Sequence, residues 1–190
     1  MPFVFKRLAL FMSIAAAFAA DKPFRAEPAS SYAHRQTAEG VTIGVDNYAS
    51  GEKLKTAFGK LDPNQYGILP VLVVIQNDTG KSLRLDRMKA TYTAPGGTRI
   101  DATPASEVKF AGPRDRPGVT PIGIKTKKNP LAAWEIEGRA FAAQMISPGQ
   151  SAFGFVYFQT APQTGSTLYL SGIMEAPSGK ELLYFEIPLN

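Results

Sequence analysis

Residues 67–76 read GILPVLVVIQ, and this stretch decides the fold class. A continuous run of Ile, Leu and Val without polar alternation predicts a strand buried on both faces, at the centre of a layered β structure. Pro70 has no N–H to give to a ladder, so it belongs at the start of that strand or at a bulge. Asn77, Asp78, Thr79 and Gly80 follow directly and predict a turn. Outward from this centre the chain repeats one theme. Residues 41–48 (VTIGVDNY) alternate apolar and polar positions, the period of a strand with one buried face. Residues 82–85 and 90–94 are further short strands, and 95–97 (PGG) turn the chain back through 98–103. After residue 150 come SAFGFVYFQ (151–159), TLYLSGIM (167–174) and ELLYFEIPL (181–189), separated by Pro- and Gly-containing turns. Gly154, inside an otherwise aromatic strand, is expected to mark a bulge or a close backbone approach.

About seven short strands punctuated this way predict a mainly β, antiparallel sandwich. Length and composition agree. The 190 residues suit one domain, and 44% hydrophobic residues supply a core. The 17 Gly and 15 Pro exceed an average share and favour turns over long helices. Two helical segments are expected. In 51–59, Leu54, Ala57 and Phe58 fall on one side and Gly59 is a stop. A longer crossover helix is predicted over 130–145, with Asn129 as N-cap and Pro130 at N1. Leu131, Trp134, Gly138, Phe141 and Met145 would form its packing stripe.

Two stretches are similar to a known group. Residues 67–78 are an apolar strand ending in Asn-Asp. Residues 147–158 are a Ser-Pro-Gly-Gln turn feeding a Gly-Phe-Val-Tyr-Phe strand. Together they resemble the exported bacterial immunoglobulin-like domains to which no activity is assigned. The resemblance implies an immunoglobulin-like sandwich and an envelope address, and brings no catalytic residues with it. The pair of Cys bracketing a Trp, found in antibody domains, is absent.

The N-terminus reads as an export signal. Lys6 and Arg7 precede an uncharged run over 8–20 (LALFMSIAAAFAA), too short for a transmembrane helix. Ala17 and Ala19 place small residues at a cleavage site, so cutting is expected after Ala19. No Cys follows to carry a lipid anchor. The expected organisation is a signal peptide over 1–19, an extended arm over 20–40 and a sandwich domain over 41–190. The expected address is periplasmic or secreted, with no transmembrane or lipid anchor after cleavage.

The residue inventory narrows the chemistry. There is no Cys and one His, which removes disulfides, thiolate zinc sites, cysteine nucleophiles and His-rich metal cages. His34 lies in the expected arm, where nothing would orient an imidazole, so a Ser-His-Asp mechanism is set aside. Glu135 and Glu137 are two apart on the expected helix and point to different sides. Asp78, Asp86 and Asp101 sit at turns or strand ends. Asp46 and Asn47 carry oxygens suited to calcium, but no Asp-x-Asp-x-Asp-Gly loop is present. No phosphate-binding glycine loop occurs either.

The feature above background is a Pro-rich loop over 104–130. Within 109–128, Lys109, Arg114, Arg116, Lys125, Lys127 and Lys128 face Asp115 alone. A long loop of this kind in a compact domain has two readings: a solvated loop kept soluble by its Lys and Arg, or a contact for an anionic surface or protein. Phe110 is its one aromatic, which speaks against nucleic acid. The expected function is therefore an exported envelope binding or accessory protein without catalysis, metal or cofactor. Its expected partner is an envelope protein or an anionic component. Two alternatives stand beside it: a glycan-acting hydrolase whose carboxylate pair is assembled by the fold, and a structural subunit pairing through an open sheet edge.

Overall fold

The computed structural model describes residues 24–108, 131, 134–182 and 184–189. Among them the chain is mainly β. In chain order the strands are β1 (His34–Ala38), β2 (Val41–Asn47), β3 (Leu69–Asn77), β4 (Ser82–Arg84), β5 (Lys89–Thr93), β6 (Arg99–Asp101), β7 (Met145–Ile146), β8 (Ser151–Phe158), β9 (Thr167–Ser171), β10 (Met174–Ala176) and β11 (Phe185–Pro188). They form three antiparallel sheets with orders β1-β2-β3-β8, β11-β9-β5-β6 and β10-β4-β7. Two short helices accompany them, α1 (Gly51–Phe58) and α2 (Trp134–Gly138).

β3 is central, hydrogen-bonded to β2 on one side and β8 on the other. Its side chains divide by parity, as a pleated strand requires. Leu69, Val71, Val73 and Ile75 enter a core shared with Ala90, Tyr92, Leu168, Leu170, Phe185 and Ile187 of the opposing sheet. Leu72 and Val74 point the other way into a second core. Burial on both faces, expected from the unbroken apolar run, is what the strand shows, and Pro70 is its second residue.

The second core explains why β3 has no wet face. α1 lays Leu54, Ala57 and Phe58 on it. Ser50 caps this helix by accepting from Lys53 N–H, and Gly59 ends it by donating to Lys55 C=O at 2.9 Å. Phe155 and Tyr157 of β8 complete the layer, with the Phe58 and Tyr48 rings each 4.8 Å from Phe155.

Three expectations are corrected. First, the described part of the 20–40 arm is built into the fold. Residues 34–38 form β1 on the edge of the first sheet, so the sandwich starts before residue 41. An edge strand exposes alternate side chains to water, so His-Arg-Gln-Thr-Ala carries no apolar signature. Tyr32 lies against Gly44, where a Cβ would sit 2.7 Å from its Cδ2 atom. Second, no helix runs through to residue 145. α2 stops at Gly138, and residues 139–141 extend along the free edge of β8. Phe155 N–H donates to Arg139 C=O at 2.8 Å, and Phe141 N–H to Phe155 C=O at 2.9 Å. Backbone groups left open by β8 thus outcompete helical propensity. The supposed stripe is dispersed: Phe141 packs on the first core, while Trp134 and Met145 are exposed. Asn129 and Pro130 lie outside the described residues. Third, the described residues form eleven strands rather than about seven, because several are only two or three residues long.

Gly154 does mark a close approach. A Cβ there would lie 2.6 Å from Phe141 N and 2.8 Å from Ala140 C. Only glycine admits the extra backbone segment on β8.

Candidate functional site

α2 and the segment after it carry the most distinctive chemistry on the surface. Ile136 is buried in the second core, and its carbonyl accepts a 2.7 Å hydrogen bond from the Tyr157 hydroxyl. That anchor fixes one turn of helix on the outer face of β8. Trp134 begins the turn and is 69% exposed. Its six-membered ring lies over Gly138, where a Cβ would sit 3.2 Å from Cε3. Arg139 follows, held in place by its carbonyl bond to Phe155 N–H.

The Arg139 guanidinium lies 5.7 Å from the Trp134 ring and 5.5 Å from Phe24. Phe24 is itself fixed by ring contacts at 5.3 Å to Phe155 and 6.2 Å to Phe153. Phe153 closes the opposite side and is 44% exposed. These residues, with Gly138 and Ala140, line an open cleft of about 340 Å³. Two aromatic rings within cation–π range of the guanidinium strip part of its water. Among the described residues no carboxylate pairs with Arg139, and its buried Nε has no hydrogen-bond partner. Its charge reaches the second core. Burial pushes the Tyr157 and Tyr48 hydroxyls above their ordinary value, and Arg139 pulls the other way. The cleft is therefore a half-dry, positively charged slot with aromatic walls.

A second cavity, of about 450 Å³, lies at the end of the first sheet. His34 lines it, together with Asp46, Asn47, Ser50 and Lys53. His34 thus stands on a strand opposite Val45 rather than in a loose arm. No hydrogen bond among the described residues orients its ring. Asp46 is paired with Lys53 at 2.7 Å. The Asn47 Oδ1 is buried without a partner. No group of three or more His, Cys, Asp or Glu that could hold a metal occurs among the described residues.

The remaining carboxylates are dispersed and locally engaged. Asp78 accepts from Gln76 Nε2 at 3.0 Å, and Asp101 from Thr91 Oγ1 at 2.9 Å. Asp86 accepts from Arg84 at 2.8 and 3.2 Å, and that hydrogen bonding holds its carboxyl below the usual range. Glu135 and Glu137 flank Ile136 on α2. Among the described residues, neither of the two cavities is lined by two carboxylates.

The six basic residues Lys109, Arg114, Arg116, Lys125, Lys127 and Lys128 lie outside the described residues. Val108 and Leu131, which bracket that stretch, are both buried in the second core beside Ile136. Sequence reasoning missed the cleft itself. It placed Trp134 on a packing stripe and left Phe24 in the arm, and Arg139 carried no signal. Gly138, an unfavourable residue inside a helix, was the available hint that the helix stops and the indole lies down.

No family model matches the chain, and no curated protein matches it. Similar solved structures exist at low identity. A candidate lipoprotein of Bacillus subtilis shares 14% identity with a TM-score of 0.39, over 81% of this chain and 38% of its own. This chain thus spans well under half of that protein. A candidate ApaA protein of Bordetella pertussis shares 10% identity with a TM-score of 0.37, over 78% of this chain and 93% of its own. A functionally unknown protein of Listeria monocytogenes shares 10% identity with a TM-score of 0.37, over 81% and 79% of the two chains.

Proposed function

We propose that this chain is an exported binding protein of the cell envelope, with an immunoglobulin-like sandwich as its frame, that holds an anionic partner and does no chemistry on it. One observation carries the reading: Arg139 stands in an open aromatic cleft, and among the described residues no carboxylate pairs with it. A partly desolvated cation left unpaired is costly unless an anion arrives. The export component rests on the charged start and apolar run of residues 1–19. The six cations of 109–128 add positive charge to the chain by sequence.

Trp134 is the single tryptophan of the chain, so its emission reports the cleft directly. Titration with polyuronate, phosphatidylglycerol vesicles and acidic peptides is expected to shift that emission for at least one of them. The affinity should fall steeply between low and physiological salt. Exchanging Lys109, Arg114, Arg116, Lys125, Lys127 and Lys128 for glutamine should flatten the salt dependence and leave the melting temperature unchanged. A salt dependence that survives this exchange removes the basic stretch from the reading. An emission unmoved by every anion removes the cleft.

Processing is tested separately. Intact mass of the chain recovered from the envelope of an expressing bacterium is expected to lack residues 1–19. Recovery of the full-length mass from the cytoplasm would overturn the export component.

A further inference from the structure

We infer that the cleft takes a segment of a partner protein, one that presents a carboxylate side chain next to an aromatic or aliphatic one. The inference rests on the binding reading above and specifies its ligand. The lining consists of Phe24, Trp134, Gly138, Arg139, Ala140 and Phe153. Besides the guanidinium, the one side-chain hydrogen-bonding group in that set is the Trp134 indole N–H. A sugar ring would bring several hydroxyls and find almost nothing to pair them. A bilayer surface is held by many cations at once, and Arg139 is the one cation among the described lining residues. A peptide carrying one carboxylate and one flat apolar neighbour matches the inventory group for group. The carboxylate meets the planar N–H edge of Arg139, and the neighbour lies against the open walls made by Trp134 and Phe153.

The residue types agree with this choice. Trp and Arg dominate the energetic centres of protein–protein interfaces, where they sit in desolvated pockets. Here both are preplaced. The indole rests on Gly138, and Arg139 is fixed between rings and by its own carbonyl. Little side-chain freedom remains to be lost on binding.

The experiment is a fluorescence titration of Trp134 with the peptide Ac-Glu-Phe-Glu-Phe-Glu-NH2, which has no tryptophan. Its Gln-for-Glu analogue, polyuronate and phosphatidylglycerol vesicles are run beside it. The acidic peptide is expected to give a saturable blue shift, and the neutral analogue to bind at least about tenfold more weakly. Arg139→Lys should weaken the peptide by a similar factor, because lysine lacks the planar fork. If that variant does not fold, the comparison of the two peptides on the unmodified chain decides. Equal affinity for both peptides overturns the inference. A shift with polyuronate or vesicles but not with the peptide also overturns it and leaves the broader binding reading standing. No shift with any of the four overturns both.

Discussion

Gly154→Ala is expected to cost roughly 3 kcal/mol or more of folding stability, and to disable the cleft in whatever protein remains folded. The added methyl would enter the backbone of Ala140 and Phe141, at 2.8 and 2.6 Å from their C and N atoms. Those atoms belong to main chain and cannot rotate away. Residues 139–141 must therefore leave β8, and two hydrogen bonds go with them, Phe155 N–H to Arg139 C=O and Phe141 N–H to Phe155 C=O. Each is worth about 1 kcal/mol, and Phe141 also withdraws from the first core. For a domain of this size the melting temperature should fall by roughly 6–12 °C. Because Arg139 is displaced, the anion-dependent shift of Trp134 emission should vanish even well below the midpoint. A Gly154→Ala protein with unchanged melting and unchanged emission would mean that the segment does not lie on β8 as described.

Asn77→Ala is expected to cost about 2–3 kcal/mol, seen as a lower denaturation midpoint at unchanged slope. Asn77 is fully buried, and its amide joins three segments. Its Nδ2 donates to Lys81 C=O at 2.8 Å and to Ile146 C=O at 3.0 Å. Its Oδ1 accepts from the Thr79 amide at 3.0 Å and the Thr79 hydroxyl at 2.6 Å. Alanine removes the donor to the buried Ile146 carbonyl and the acceptor of the half-buried Thr79 groups, while the Lys81 carbonyl keeps its bond from the Thr79 hydroxyl. The backbone bonds would persist, since Asn77 N–H reaches Gln150 C=O and Gly149 N–H reaches Asn77 C=O in either case. Gly149, at φ 71°, is suited to that turn because left-handed backbone costs glycine nothing. Asp78→Ala, one residue on and exposed, should change little. Equal losses at the two positions would refute the bridging role of Asn77.

These two residues also mark what the sequence made legible. β3 was readable because burial on both faces leaves an unbroken apolar run. Asn77 and the Pro148-Gly149-Gln150 turn stand in the sequence as two separate local patterns, and the structure joins them through hydrogen bonds. α1 was readable from three apolar positions and a glycine stop. What failed to register was pairing at edges. β1 is polar because one side of it meets water, and a polar stretch looks the same whether it is paired or loose. Residues 131–145 carry apolar side chains at helical spacing, yet the open backbone of β8 claims 139–141 as an extended partner. No periodicity in 131–145 encodes the hydrogen-bonding needs of residue 155. The cleft stayed hidden for the same reason. Trp134 and Arg139 become neighbours of Phe24 and Phe153 only after that segment docks and the N-terminal stretch folds over the sheet.

The pairing of β3 with β8 has a consequence for how the molecule is made. Leu69 meets Phe158 and Gln76 meets Ser151, so the middle of the first sheet is closed by a strand synthesised long after it. Until residues 151–158 arrive, β3 is an unsatisfied edge with Val, Ile and Leu on both sides, the kind of strand most prone to join another chain. Non-local closure of this sort is intrinsically slow. A nascent or truncated chain ending before Ser151 therefore needs a holding factor to stay unaggregated, and the protein becomes self-sufficient only when residues 151–158 are present.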